Sequence, residues 1–146
     1  MITNDVQHRN TKSWLARFET EAADLEAAYP TAARTRMQQL QIDAARSQAD
    51  DLRRELAEYE RLRSGEERTF EASSLRGIAE LLIKARVARG WSQRRLADEL
   101  GIAEQQVQRY ESTGYSAASL ARLADIADAL GITVTETATL NAVTAA

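Results

Sequence analysis

The sequence predicts an all-α protein: a long N-terminal helical hairpin or coiled coil, then a compact helix-turn-helix bundle closed by a short C-terminal strand. Three observations predict it. One proline and six glycines in 146 residues leave few points at which a helix must break. Apolar residues recur at spacings of three and four through most of the chain. The stretch Ser92–Glu111, SQRRLADELGIAEQQVQRYE, reads as two short helices meeting at a tight turn. The expected organisation is a helical hairpin over 1–63, a linker over 64–73, a helix-turn-helix domain over 74–136 and a mobile tail over 137–146.

Composition narrows the function classes. Apolar residues make up 44% of the chain but aromatics only 5%, so the core is expected to be aliphatic and alanine-rich. With no cysteine, disulfides, thiol catalysis and cysteine-based zinc sites are excluded. No apolar run approaches the roughly 20 residues of a membrane helix, and the polar N-terminus lacks a signal-peptide segment. A cytoplasmic protein with no membrane contact is the expectation. Net charge is −3, with 11 basic and 14 acidic side chains in residues 1–73 and 8 of each in residues 74–146. A neutral half binds DNA if its basic groups share one face. Arg89, Arg94, Arg95 and Arg109 gather around the helix-turn-helix.

Residues 1–10 are polar and expected to fray. They hold His8, the lone histidine, which by itself builds neither a metal site nor a proton relay. A helix is expected over Thr11–Tyr29, with Trp14, Phe18, Ala22, Leu25, Ala28 and Tyr29 along one stripe. Pro30 ends it, because the residue before a proline resists the helical conformation. Thr31 is placed to cap a second helix running to about Arg63, about 45 Å long. Its seam is a heptad, with Ile42, Ala49 and Leu56 at one position and Ala45, Leu52 and Tyr59 at the other. These six are the candidate dimerisation residues. The favoured arrangement is an antiparallel hairpin that also contributes to a homodimer; the alternative is a surface for a protein partner.

Ser64-Gly65-Glu66-Glu67 breaks the long helix. Ser74–Arg89 reads as the next helix, with Ile78, Leu81, Leu82, Ala85 and Ala88 inward and Gly90 after it. Trp91 is expected to close the core. Ser92 then caps the first helix of the motif. Two helices crossing steeply over a short turn need a small residue where they touch, and Ala97, four before Gly101, supplies it. Val107 plugs the angle from the other side. The second helix is the one that enters a major groove in such a motif. Beyond it, Ser116 is a candidate cap for a helix carrying Leu120, Leu123, Ala124, Ala127 and Leu130 inward, stopped by Gly131. Ile132-Thr133-Val134-Thr135 alternates as a strand does, pairing with its copy or with the linker.

Residues 75–136 resemble the lambda-repressor-like DNA-binding domain of the XRE family of bacterial and phage regulators. The helix ending at Arg86, WSQRRLADELGI, QQVQRYE and LARLADIADALGI carry the resemblance. It implies a bundle of four or five helices that binds operator DNA as a dimer. By resemblance, Gln93 matches a glutamine that touches a phosphate, and Glu104, Gln105, Gln108 and Arg109 match outward positions of the recognition helix. Arg86 and Glu111 match a salt-bridged pair that positions the reader without touching bases.

The residue chemistry agrees. Gln105 and Gln108 suit adenine, and Arg109 suits guanine or a phosphate. Glu104 would accept from cytosine or cap its own helix. Backbone contacts are expected from Ser92, Gln93, Arg94 and Arg95, and from Tyr115 and Ser116 in the following loop. No catalytic constellation, cofactor motif or metal cluster is present, so no enzyme is expected. The expected function is a sequence-specific repressor that acts as a dimer on a palindromic operator. The acidic helical module ahead of the DNA-binding domain resembles the order in some XRE-type antitoxins. The alternatives are therefore an antitoxin that neutralises a cognate toxin and represses its own operon, and a scaffold that no longer reads DNA.

Overall fold

A computed structural model describes residues 1–141. Its helices are α1 (Asp5–Ala28), α2 (Arg36–Arg63), α3 (Ile78–Ala88), α4 (Gln93–Leu100), α5 (Glu104–Ser112) and α6 (Leu120–Ala129), with single 3-10 turns at Thr31–Ala33 and Leu75–Gly77.

α1 and α2 form the expected antiparallel hairpin. Pro30 ends α1 and the chain reverses through the 3-10 turn. Arg34 then ties the corner, donating from Nε and Nη2 to the Tyr29 carbonyl at 3.0 and 2.8 Å. Thr35, not Thr31, caps α2, in a reciprocal capping box with Gln38. Cross-hairpin ion pairs Arg46–Glu26 and Arg53–Glu19, at 2.5 and 2.6 Å, run in opposite sequence order and fix the register.

The heptad seam of α2 is real but is spent inside the chain. Ile42, Ala45, Ala49, Leu56 and Tyr59 are buried and Leu52 half-buried, against a face of α1 that includes Ala22. Within one chain these residues pack α2 onto α1. An alanine-rich seam lets helices approach closely, and the nearest partner is the helix preceding it in sequence. Trp14 is corrected: it is 49% exposed, and Leu15 takes the inward place beside it.

The first ten residues are ordered rather than frayed. Asn4 caps α1 by accepting from the Gln7 amide, so the helix begins six residues before its expected start at Thr11. Ile2 is buried in a small core with Leu56, Tyr59, Leu62 and Val87. That core joins the two modules the sequence separates, since Val87 lies on α3. Lys84 on α3 reaches Glu58 on α2 at 3.7 Å across the same junction.

The second core holds the C-terminal half. Leu82, Ile83 and Ala85 from α3, Leu96 and Ala97 from α4, Val107 from α5, Ile126 and Ala127 from α6 and Leu130 just after it pack together. Two expectations fail here. Ser119, not Ser116, caps α6 by accepting from the Arg122 amide at 3.1 Å, which leaves Leu120 outside the core at 77% exposure. The expected strand at Ile132–Thr135 does not form: residues 132–141 carry no regular secondary structure. Residues 132–138 border a cleft with Arg68–Leu75 without pairing to it, and one unpaired strand is not stable alone. The part of the expected mobile tail at 142–146 lies outside the described residues. Among the described residues no helix is long and apolar enough to cross a membrane.

Candidate nucleic-acid interface

The turn between α4 and α5 is built as its residues require. Ser92 accepts from the Arg95 amide at 3.0 Å and starts α4. Gly101 ends it in the left-handed conformation, φ 65°, where a Cβ would be strained. The Ile102 amide then donates to the Ala97 carbonyl at 3.0 Å and the Gly101 amide to Asp98 at 3.3 Å, the paired bonds of a Schellman ending. Ala97 and Val107 are each 1% exposed, filling the crossing from both sides.

The turn fixes what α5 presents. With Val107 inward, Glu104, Gln105, Gln108 and Arg109 are exposed together. Ala103, ahead of the helix, offers no side-chain cap, so the Glu104 carboxylate in the first turn complements the helix dipole. Glu104 also accepts from Gln108 Nε2 at 3.4 Å. The comparison with family models matches residues 82–136 to the family described as Helix-turn-helix. This segment is a helix-turn-helix domain of the XRE type. The matched family is one of DNA-binding regulatory domains. Neither the curated proteins nor the solved structures give a match.

Beneath the helix-turn-helix lies an ion-pair network, with Arg86 1% and Glu111 8% exposed. Arg86 donates from Nε to Glu111 Oε1 at 2.5 Å and from Nη2 to Oε2 at 2.7 Å, a two-pronged pairing of planar groups. Its remaining donors reach two carbonyls, Trp91 from Nη1 and Thr3 from Nη2, each at 2.7 Å. Gln93 Nε2 donates to Glu111 Oε2, also at 2.7 Å. One arginine thus joins the end of α3, the start of α4, the last turn of α5 and the chain's N-terminus.

The other expected contact residues fall unevenly. Ser92, Arg94 and Ser116 are exposed, and Gln93 is half-buried. Arg95 pairs with Glu99 and lies 5.3 Å over the Trp91 ring, so it is partly engaged within the domain. Tyr115, by contrast, is buried and stacks on Tyr110 at 5.8 Å between ring centroids. Burial, with Glu111 nearby, pushes that phenol well above its ordinary value.

A cleft of about 660 Å³ adds residues that sequence reasoning missed. Ser92, Gln93, Glu104 and Gln108 line it from the helix-turn-helix, and Asn4, Asp5 and Arg63 from the hairpin. The Asn4-Asp5-Val6-Gln7 pattern ahead of a helix carried a capping signal. Arg63 carried none, because its place depends on how α2 docks onto α3.

Proposed function

We propose that the chain is a sequence-specific transcriptional repressor that binds a palindromic operator as a dimer and controls its own promoter. The observation that carries this reading is the outer face of α5. Four polar side chains, Glu104, Gln105, Gln108 and Arg109, stand exposed on a helix whose other side is pinned by Val107 and Glu111. Gln105 and Gln108 have the donor and acceptor pair that adenine requires, and Arg109 has the fork that suits guanine or a phosphate. Ser92, Gln93, Arg94 and Ser116 would set register on the backbone. A single α5 reads only a few base pairs, so two copies are needed on half-sites about 34–36 Å apart.

Selection of duplexes from a random pool, followed by titration of the selected site, tests the reading. Gln105→Ala and Arg109→Ala should each cost roughly 1–3 kcal/mol and relax specificity at one position. Parent-like binding by both would remove α5 as the reader. Selection of no preferred duplex would favour the scaffold reading instead.

One observation favours a second role beside the first. Trp14 is 49% exposed on α1, stacked against Phe18 at 6.2 Å with the Arg17 guanidinium 4.5 Å over its ring. An exposed aromatic cluster on the hairpin suits a protein partner, such as a cognate toxin neutralised by an antitoxin. Co-expression with the product of the neighbouring gene tests this. A product harmless alone, or one that does not co-purify, would sink the antitoxin role.

A further inference from the structure

The sequence separates a DNA-reading half from a hairpin of some other purpose, but the cleft described above has walls from both. Arg63, at the end of α2, opens on the same cleft as Ser92 and Gln93. Its guanidinium is 49% exposed and bonded to Asp5, which is 64% exposed. Tyr59 donates to the same Asp5 oxygen at 3.0 Å. Arg63 therefore shares one cleft with Ser92 and Gln93, the residues expected to meet the DNA backbone.

We propose that Arg63 is a backbone-phosphate contact supplied by the hairpin, and that Asp5 competes with DNA for it. The inference rests on the DNA-binding reading above and extends the interface beyond the helix-turn-helix. The chemistry permits the exchange. A surface ion pair costs little to open, while a phosphate offers arginine the same two-pronged geometry as a carboxylate. The competition also has a sign. Among the residues lining the cleft, Arg63 and Arg86 face three carboxylates, Asp5, Glu104 and Glu111. The cleft is therefore net acidic, and Asp5 is the carboxylate bonded to the arginine that would face DNA.

The test measures affinity of the full chain for two duplexes, one selected from the random pool and one unrelated of equal length, across a salt series. A phosphate contact is independent of sequence, so both duplexes report on it. Arg63→Ala should weaken binding about three- to eightfold at 0.1 M salt and flatten the salt slope by about one. Arg63→Lys should restore most of the slope. Asp5→Asn should tighten binding about two- to fivefold, as expected for release from a surface ion pair. With Arg63→Ala added, that gain should vanish. A merely structural role for the pair predicts the opposite for Asp5→Asn, namely weaker or unchanged binding. That outcome, or a parent-like slope for Arg63→Ala, would overturn the proposal alone. Binding without sequence preference would overturn the repressor reading and leave the Arg63 comparison intact. A parent chain that binds neither duplex at low salt would overturn both.

Discussion

Gln93 Nε2 donates to Glu111 Oε2 at 2.7 Å, the carboxylate oxygen that also accepts from Arg86 Nη2. The first residue of α4 is thereby tied to the last turn of α5. An amide has two donor hydrogens, so one holds the Gln93 side chain in place and the second is left for another acceptor. The residue expected to anchor the DNA backbone and the helix expected to read bases are thus oriented by one shared carboxylate.

That sharing makes the pair costly to halve. Arg86→Ala or Glu111→Ala should each destabilise the fold by about 3–5 kcal/mol, because the remaining charge stays buried without its partner. Replacing both with alanine should cost less than the two single changes added together. Urea denaturation of the four proteins measures the coupling. An additive result would show that the two side chains do not act as a pair.

Gly101 tests the turn by itself. A Cβ there would meet no atom within 4 Å, so a substitution costs backbone strain and nothing else. Gly101→Ala should lower stability by about 1–2 kcal/mol through the left-handed conformation alone. Thermal unfolding measures it. A neutral result would mean that the turn relaxes and that α5 is not held at a fixed angle.

The turn was legible in the sequence for the reason that it is local. Ser92, Ala97, Gly101 and Val107 act within one short stretch, where spacing alone specifies packing. The hairpin corner at Pro30 was legible on the same ground. Trp14 was misplaced because positions 14 and 15 both fit the periodicity of α1, and only the docked α2 selects Leu15. Ile2 and Thr3 were missed because their partners, Val87 and Arg86, lie more than eighty residues away, and no periodicity signals such a contact. The six seam residues were recognised as buried, but a heptad does not say whether its mate is the same chain or a copy. Tyr115 was read from its place in a loop. Its side chain turns inward because its backbone takes φ 57°, which few residues other than glycine adopt.

Tyr115 also yields a stability prediction. Its hydroxyl is buried with no hydrogen-bond partner, while its ring stacks on Tyr110. Tyr115→Phe keeps the ring and removes an unpaired polar group, so it should be neutral or raise stability by about 1 kcal/mol. Urea midpoints of the two proteins give the difference. A loss of similar size would mean that the hydroxyl is bonded in solution and that the inward ring is held by more than packing.

The N-terminal clasp should be sensitive to acid. Burial acts to raise the Asp5 pKa, but the Tyr59 hydroxyl and the Arg63 guanidinium outweigh it and hold the carboxyl below its ordinary 3.8. Bonds from His8 and Lys12 likewise lower Glu60. A carboxylate depressed by folding stabilises the fold at any pH above its unfolded value. That contribution fades as pH falls from about 3.8 through the lower folded value, because the unfolded chain takes up the proton first. Asp5→Asn should therefore be less stable than the parent at pH 6, by no more than about 1 kcal/mol for so exposed a group. The two should converge as pH falls from about 3.8 through that lower folded value, where the folded parent takes up the same proton. Thermal unfolding of both proteins between pH 6 and 3 measures the gap. If it persists unchanged at pH 3, the Asp5 charge is not what fastens the start of α1 to the end of α2, and Ile2 in its apolar niche beside Val87 holds that contact instead.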